Sequence, residues 1–228
     1  MRPSIREHRC PGCEIRKPLC FCALIPRIEL QTRLIVLMHS SEEVLTSNSA
    51  RLAVKALTNS ELRIHGRKSE RMSTAGLAGA VRPLLLYPSA NAVELTPEFV
   101  ARLAGPATLI VPDSSWRQAQ RFVRREPALL GIPHVKLPEG APSEYRLRHQ
   151  PNDTSLCTLE AIARALGLLE SSEAQASLET VLNVMVERVL WSRGKLPANQ
   201  CTSGDIPRGA FIHVNGPVRL KRQQTKGD

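Results

Sequence analysis

The stretch LIVPDSSWRQAQRFVRR, residues 109–125, changes character twice. Leu109, Ile110 and Val111 are three apolar residues in a row after Gly105-Pro106, which fits a strand covered on both faces. Pro112, Asp113, Ser114 and Ser115 interrupt the run. Beyond them Trp116, Ala119 and Val123 recur at helical spacing, while Arg117, Arg121, Arg124 and Arg125 gather on another face. The reading is strand, turn, helix, with a carboxylate and two hydroxyls at the carboxyl end of the strand. Open α/β sheets place their ligands there. Ser114 or Ser115 serves equally well as a helix N-cap, so the turn alone leaves both readings open.

Working outward, Leu34 to Met38 is the clearest second strand. His39-Ser40-Ser41-Glu42-Glu43 follows it, and Ser47 reads as the N-cap of a helix with Leu52, Ala53, Ala56 and Leu57 on its apolar side. His39 at the strand end is either a structural hydrogen-bonding group or a catalyst. Glu61 to His65, Arg82 to Tyr87 and Val135 to Leu137 read as further strands, with Gly76 and Gly79 marking a loop. Thr96-Pro97-Glu98 is a helix start, Thr as cap and Pro in the first turn. About five short apolar strands thus alternate with helices, the pattern of a mostly parallel sheet with helices on both faces.

Downstream, Tyr145-Arg146-Leu147-Arg148 precedes Asp153 to Ala161, where Thr158 or Ser155 can cap a helix carrying Ile162, Ala163 and Leu166 and ending near Gly167. Leu178, Val181, Leu182, Met185, Val186 and Val189 then form a 3.6-period core stripe. From Gly194 the chain is rich in Pro, Gly and basic residues without periodicity. Its tail, Arg219-Leu220-Lys221-Arg222, reads as mobile and nucleic-acid-touching.

Four of the six cysteines lie close together as C-x2-C-x6-C-x-C: Cys10, Cys13, Cys20 and Cys22. Four thiolates can close a tetrahedral zinc shell, and Pro11-Gly12 allows the tight turn of a chelating knuckle. Such a set leaves no open position for a catalytic water, so the expected zinc is structural. Cys157 and Cys201 stand alone and read as packing residues. The N-terminus carries Arg2, Arg6, Glu7 and His8 and no apolar signal core, and no apolar run approaches the ~20 residues that span a bilayer. A cytoplasmic protein without membrane association is expected, with the oligomeric state left open and a monomer favoured. Thirty-one Lys and Arg against 21 Asp and Glu give a formal charge of +10, which favours a polyanionic partner. Aromatics are 4% of the chain, little material for stacking platforms of the single-strand-binding type. Neither G-x-x-x-x-G-K-[ST] nor G-x-G-x-x-G is present, and no Ser-His-Asp set can be assigned by spacing.

Taken together, the cysteine knuckle, LIVLMH with its following Glu, Asn48 to Ala53, Tyr87-Pro88-Ser89, Val111 to Ala119, Tyr145 to Arg148 and Leu156 to Ala161 resemble the DTW-domain family of tRNA-uridine aminocarboxypropyltransferases. The resemblance runs in order from about Cys10 to the helix after Leu159. The family's signature usually has Gly and Thr where this chain has Ser114 and Ser115, and commonly Ser in place of Cys157. The resemblance implies a SPOUT-like α/β fold with a C-terminal trefoil knot, which periodicity cannot show. It divides the chain into a four-cysteine zinc segment (1–30), a catalytic domain (31–193) and an irregular basic tail (194–228). S-adenosylmethionine would bind at Pro112, Ser115, Trp116, Leu147, Arg148, Leu156, Thr158, Leu159, Glu160 and Ala161. The implied reaction moves a 3-amino-3-carboxypropyl group to N3 of a uridine in tRNA and releases methylthioadenosine. Asp113 is then the candidate base, its rival role being a hydrogen bond to cofactor or uracil. Arg117, Arg121, Arg124 and Arg125 are assigned to RNA phosphates, which they contact without reading sequence. A SPOUT-type RNA methyltransferase and a non-catalytic zinc-knuckle RNA-binding protein are the alternative readings.

Overall fold

The computed structural model describes residues 8–148 and 155–210. Six strands form one parallel sheet: β1 (Arg33–His39), β2 (Ser60–His65), β3 (Pro83–Leu86), β4 (Val93–Glu94), β5 (Thr108–Asp113) and β6 (His134–Lys136), in the order β2-β1-β5-β3-β6-β4. The helices are α1 (Ala50–Ala56), α2 (Pro97–Arg102), α3 (Trp116–Arg125), α4 (Thr158–Leu169) and α5 (Ser172–Ser192).

The unbroken apolar runs follow from burial on both faces. In β1, Leu34, Val36 and Met38 point into the larger core, whereas Ile35 and Leu37 point into a smaller one on the other side. β5 divides in the same way, Leu109 and Val111 on one face and Ile110 on the other. The larger core is completed by α1, α4 and α5, the smaller by Phe122 and Val123 of α3 with Leu129. Fully burying one such side chain contributes about 1.5–3 kcal/mol, which makes the central strands the anchor of the fold. Because all strands are parallel, His39, His65, Leu86, Asp113 and Lys136 end along one edge.

The α/β architecture with helices on both faces is as expected, but several details differ. The sheet has a sixth strand, β4, whose two exposed residues carry no apolar pattern to read. Ser49, not Ser47, occupies the N-cap of α1, and Asn48 Oδ1 accepts the Arg51 N–H at 3.2 Å. Cys157, rather than Thr158 or Ser155, stands at the N-cap of α4. Gly167 does not end that helix: a Cβ there would lie 2.1 Å from Gln175 Oε1, so the glycine lets α4 and α5 approach closely.

The cysteine segment is built into the body, since Ile15, Leu19 and Phe21 are buried in the larger core. Arg188 of α5 fastens it, donating to the Leu19 and Cys20 carbonyls at 3.1 and 2.7 Å. Residues 194–210 are irregular yet attached: Glu187 accepts from the Thr202 and Ser203 N–H groups at 3.0 and 2.9 Å, and Ala210 is fully buried. The tail 219–222 lies outside the described residues, as do residues 149–154. Among the described residues no helix is long and apolar enough to cross a membrane.

Candidate active site

Asp113 ends β5 and is 4% exposed. Its Oδ1 accepts from the Thr158 hydroxyl at 2.6 Å and its Oδ2 from the Asn48 amide at 2.7 Å. Burial pushes the Asp113 carboxyl above the usual range, against the pull of these two donors. The same Asn48 nitrogen lies 3.3 Å from Glu42 Oε2, which also takes a 2.9 Å ion pair from Arg148. Arg148 in turn donates through Nε to Ser47 Oγ at 2.9 Å, and the Tyr145 hydroxyl donates to the Ser47 carbonyl. Two buried carboxylates, one from β5 and one from the turn after β1, are thus satisfied by donors from α4, the start of α1 and the Tyr145–Arg148 segment. That arrangement answers the desolvation cost of each charge.

A cleft of about 580 Å³ opens above this cluster, at the carboxyl ends of β3, β5 and β6. Of the residues assigned to the cofactor, Pro112, Trp116, Leu156, Thr158 and Ala161 line it. The others stand behind or beside it. Leu159 is fully buried in the core, Leu147 is buried, and Arg148 is engaged with Glu42. Glu160 is buried and accepts from Cys157 N–H at 2.8 Å, Ser143 Oγ at 2.6 Å and Glu144 N–H at 2.7 Å, tying the start of α4 to the loop that precedes it. Ser115 is exposed at the N-cap of α3, its N–H donating to Gln118 Oε1 at 3.2 Å.

Trp116 does not join Ala119 and Val123 under the helix: it is 50% exposed at the cleft, 6.5 Å from the Tyr87 ring. Tyr87 itself, and the wall made by Leu137, Pro138 and Ala141, fall outside the set that the sequence assigns to the cofactor. The place of these groups just after the strands β3 and β6 is the signal that could have found them. Asn48 and Glu42 are legible in the sequence only as members of short motifs, because their convergence on Asp113 is a tertiary fact.

His39 lies beside this edge with Nδ1 accepting from Ser41 N–H at 3.1 Å, and its ring meets His65 edge-on at 5.2 Å. His65 is 7% exposed and stacks on Phe122 at 3.7 Å. Burial first, and the charge of His39 second, lower its pKa to about 4.

Away from the cleft, the Sγ atoms of Cys10, Cys13, Cys20 and Cys22 all lie within 4.8 Å of one another, a group that could hold a metal ion. Thiolates ~2.3 Å from a tetrahedral zinc stand ~3.8 Å apart, so the donor set fits. Although burial acts to raise it, Cys10 is brought down to about 6 by the backbone N–H of Cys13 and its thiol neighbours, while burial pushes Cys13 up. Arg117, Arg121, Arg124 and Arg125 are all exposed on α3.

A family model described as the DTW domain matches residues 7–190. The chain is 30% identical over 176 residues to tRNA-uridine aminocarboxypropyltransferase 2 of Drosophila melanogaster, covering 74% of this chain and 69% of the relative. It is 29% identical over 174 residues to tRNA-uridine aminocarboxypropyltransferase 2 of Mus musculus, covering 73% and 58%. With tRNA-uridine aminocarboxypropyltransferase A of Arabidopsis thaliana it shares 30% identity over 213 residues, covering 79% and 80%. The match thus spans between 58% and 69% of the length of these two animal relatives. Among solved structures, the SAM-dependent rRNA:acp-transferase Tsr3 from Vulcanisaeta distributa superposes with a TM-score of 0.47 at 16% identity, over 79% of this chain and 88% of that one, a likeness too slight to carry weight.

Proposed function

This chain belongs to the DTW-domain family, and from that premise we propose that it transfers the 3-amino-3-carboxypropyl group of S-adenosylmethionine to N3 of a uridine in tRNA, releasing methylthioadenosine. The observation that carries the reading is the cleft at the carboxyl edge of the sheet, with Thr158 in its wall and Asp113 hydrogen-bonded directly behind. Its volume of about 580 Å³ suits a nucleoside-sized ligand.

The lining fits S-adenosylmethionine: Leu86, Val111, Val135 and Ala161 offer an apolar bed for a purine, and Tyr87 and Trp116 place aromatic rings beside it. Pro112, Leu156 and Thr158 would hold the remainder, with Ser115, Leu147, Arg148, Leu159 and Glu160 fixing those loops from outside the cleft. When bound, the sulfonium makes the neighbouring carbon electrophilic, so the protein's work is orientation and removal of the N3 proton.

Asp113 is too deeply buried to meet the uracil itself, and its hydrogen bond to Thr158 supplies the route. The Thr158 hydroxyl accepts the N3 proton while giving its own to Asp113 Oδ1, so one proton is taken up for each bond made to N3. Burial raises the basicity of Asp113, which suits it to this role. Zinc on Cys10, Cys13, Cys20 and Cys22 would hold the N-terminal segment in place. The exposed arginines of α3 would carry RNA phosphates, and a tRNA substrate together with cysteines that are all free suits the cytoplasm.

The experiment is product analysis after incubation of the purified protein with S-adenosylmethionine and unmodified tRNA. Aminocarboxypropyl-uridine and an equal amount of methylthioadenosine are expected. A methylated uridine would identify a methyltransferase instead, and no new nucleoside would leave an RNA-binding module.

A further inference from the structure

A second concave surface lies on the opposite face of the sheet from α3, and nothing in the proposed reaction uses it. It is a groove of about 640 Å³ between the cysteine segment and the last turn of α5. His8, Arg9, Arg16 and Lys17 contribute from the segment and Arg193 from the helix end, while Thr46 and Ser192 add hydroxyls; no carboxylate is among its described lining residues. The pocket of about 390 Å³ on the far side of the cleft shows the contrast, since Glu139, Glu144, Glu160 and Glu179 line it with Arg164. The groove is thus basic where the neighbouring pocket is acidic.

The groove is held in shape by backbone. Arg9 and Arg16 form an antiparallel bridge across the cysteine loop, which sets their side chains at one end of the same turn. Arg9 Nη1 donates to the Val44 carbonyl at 3.3 Å, and Arg193 Nη1 to the Leu147 carbonyl at 3.1 Å. Leu147 and Thr46 adjoin Arg148 and Ser47, the pair that holds Glu42 under the cleft. The groove and the candidate active site thus share their supporting segments.

We propose that this groove binds the sugar-phosphate backbone of the substrate RNA, as a second contact independent of the α3 arginines. The proposal rests on the RNA-modifying reading above. α3 packs on the smaller core and the cysteine segment and α5 on the larger, so the two basic surfaces flank the carboxyl edge of the sheet from opposite faces. An RNA that spans the carboxyl edge to touch both passes the mouth of the cleft. Three arginines, a lysine and a histidine on a concave wall with no carboxylate among its described lining residues attract phosphate without reading bases, and the counterions they displace make the contact depend on salt.

The test is the affinity of unmodified tRNA, measured by anisotropy across a salt series, for the zinc-loaded protein and its Arg9→Ala/Arg16→Ala/Lys17→Ala variant. The variant is expected to bind about tenfold more weakly at moderate salt, with the log–log salt slope shallower by about two, as each lost phosphate contact removes about 0.7–0.9. Affinity for S-adenosylmethionine should be unchanged. Lys17→Glu alone, a single exposed side chain, guards against a folding defect in the triple variant: it should weaken RNA and leave zinc content and melting temperature as they were. Unaltered RNA affinity and slope in both variants would overturn the proposal. That outcome would leave the product analysis of the transfer reaction standing, and a protein that binds RNA through this groove without making aminocarboxypropyl-uridine would fail only the latter.

Discussion

Thr158 and Asp113 share one short hydrogen bond, with Thr158 in the cleft wall and Asp113 behind it. Asp113→Asn keeps size and reach but cannot take up a proton, so transfer should fall by about 10²–10⁴ while S-adenosylmethionine binding persists. Thr158→Val should show a loss of the same kind in kcat with little change in KM, and Thr158→Ser should restore most of it. Near-native rates in both Asp113→Asn and Thr158→Val would mean that the pair is a structural link. The base must be ionised, and burial raises its pKa, so the rate should decline as pH falls through a value above the ordinary carboxylate range. His65 gives a different signature. Its folded pKa of about 4 lies below the unfolded value of about 6.5, so the neutral form is preferred in the fold. Stability is therefore full above pH 6.5 and declines as pH falls from there towards 4, by on the order of 2–3 kcal/mol. Denaturant melts of His65→Leu should lack that slope. Asp113 is legible at a strand end because an apolar run stops there. The convergence of Asn48 and Glu42 on it, across 65 and more residues, is not, since nothing local marks a tertiary hydrogen bond.

Among the elements, α4 begins with a reciprocal cap whose glutamate does more than close a helix. Glu160 accepts three hydrogen bonds, one from its own N-cap and two from Ser143 and Glu144. Glu160→Ala takes the acceptor from the buried Cys157 N–H and from two part-buried donors, which costs on the order of 3 kcal/mol and should lower Tm by about 6–12 °C. The cleft wall between Leu137 and Ala141 should loosen with it, read as weaker S-adenosylmethionine binding. The cysteine segment makes a parallel case. Because Ile15, Leu19 and Phe21 belong to the larger core, loading the proposed zinc site should raise global stability, and a chelator should reverse that gain rather than free a detached knuckle. Calorimetry showing an unchanged melt after complete metal removal would contradict this. Helix α5 and strands β1 and β5 are legible because their periodicities are long or their burial complete. β4 escapes a sequence reading because a two-residue edge strand is set by its neighbour β6 and not by its own side chains. Ser47 suits a cap by residue type, whereas in the fold its oxygens are taken by Arg148 and Tyr145.

At the scale of the whole molecule, the charge of +10 becomes informative only once its distribution is known. Arg117, Arg121, Arg124 and Arg125 are exposed on one helix, on the face of the sheet opposite the basic groove, and Ala119 of the same helix lines the cleft. α3 therefore links the cleft to a cationic surface through a single rigid element. If that surface carries phosphates, tRNA affinity should fall steeply with salt, and Arg121→Ala/Arg125→Ala should weaken binding and reduce the log–log slope by about 1.5. Both residues are exposed, so melting temperature and S-adenosylmethionine affinity should stay constant. The decisive comparison is the five-substitution protein that also carries the groove changes. The two surfaces lie on opposite faces of the sheet, so their effects on the logarithm of affinity should add. A salt slope that stays flat throughout would assign the basic charge to solubility, while a combined loss no larger than either part would mean that the RNA engages one face at a time and does not bridge the carboxyl edge.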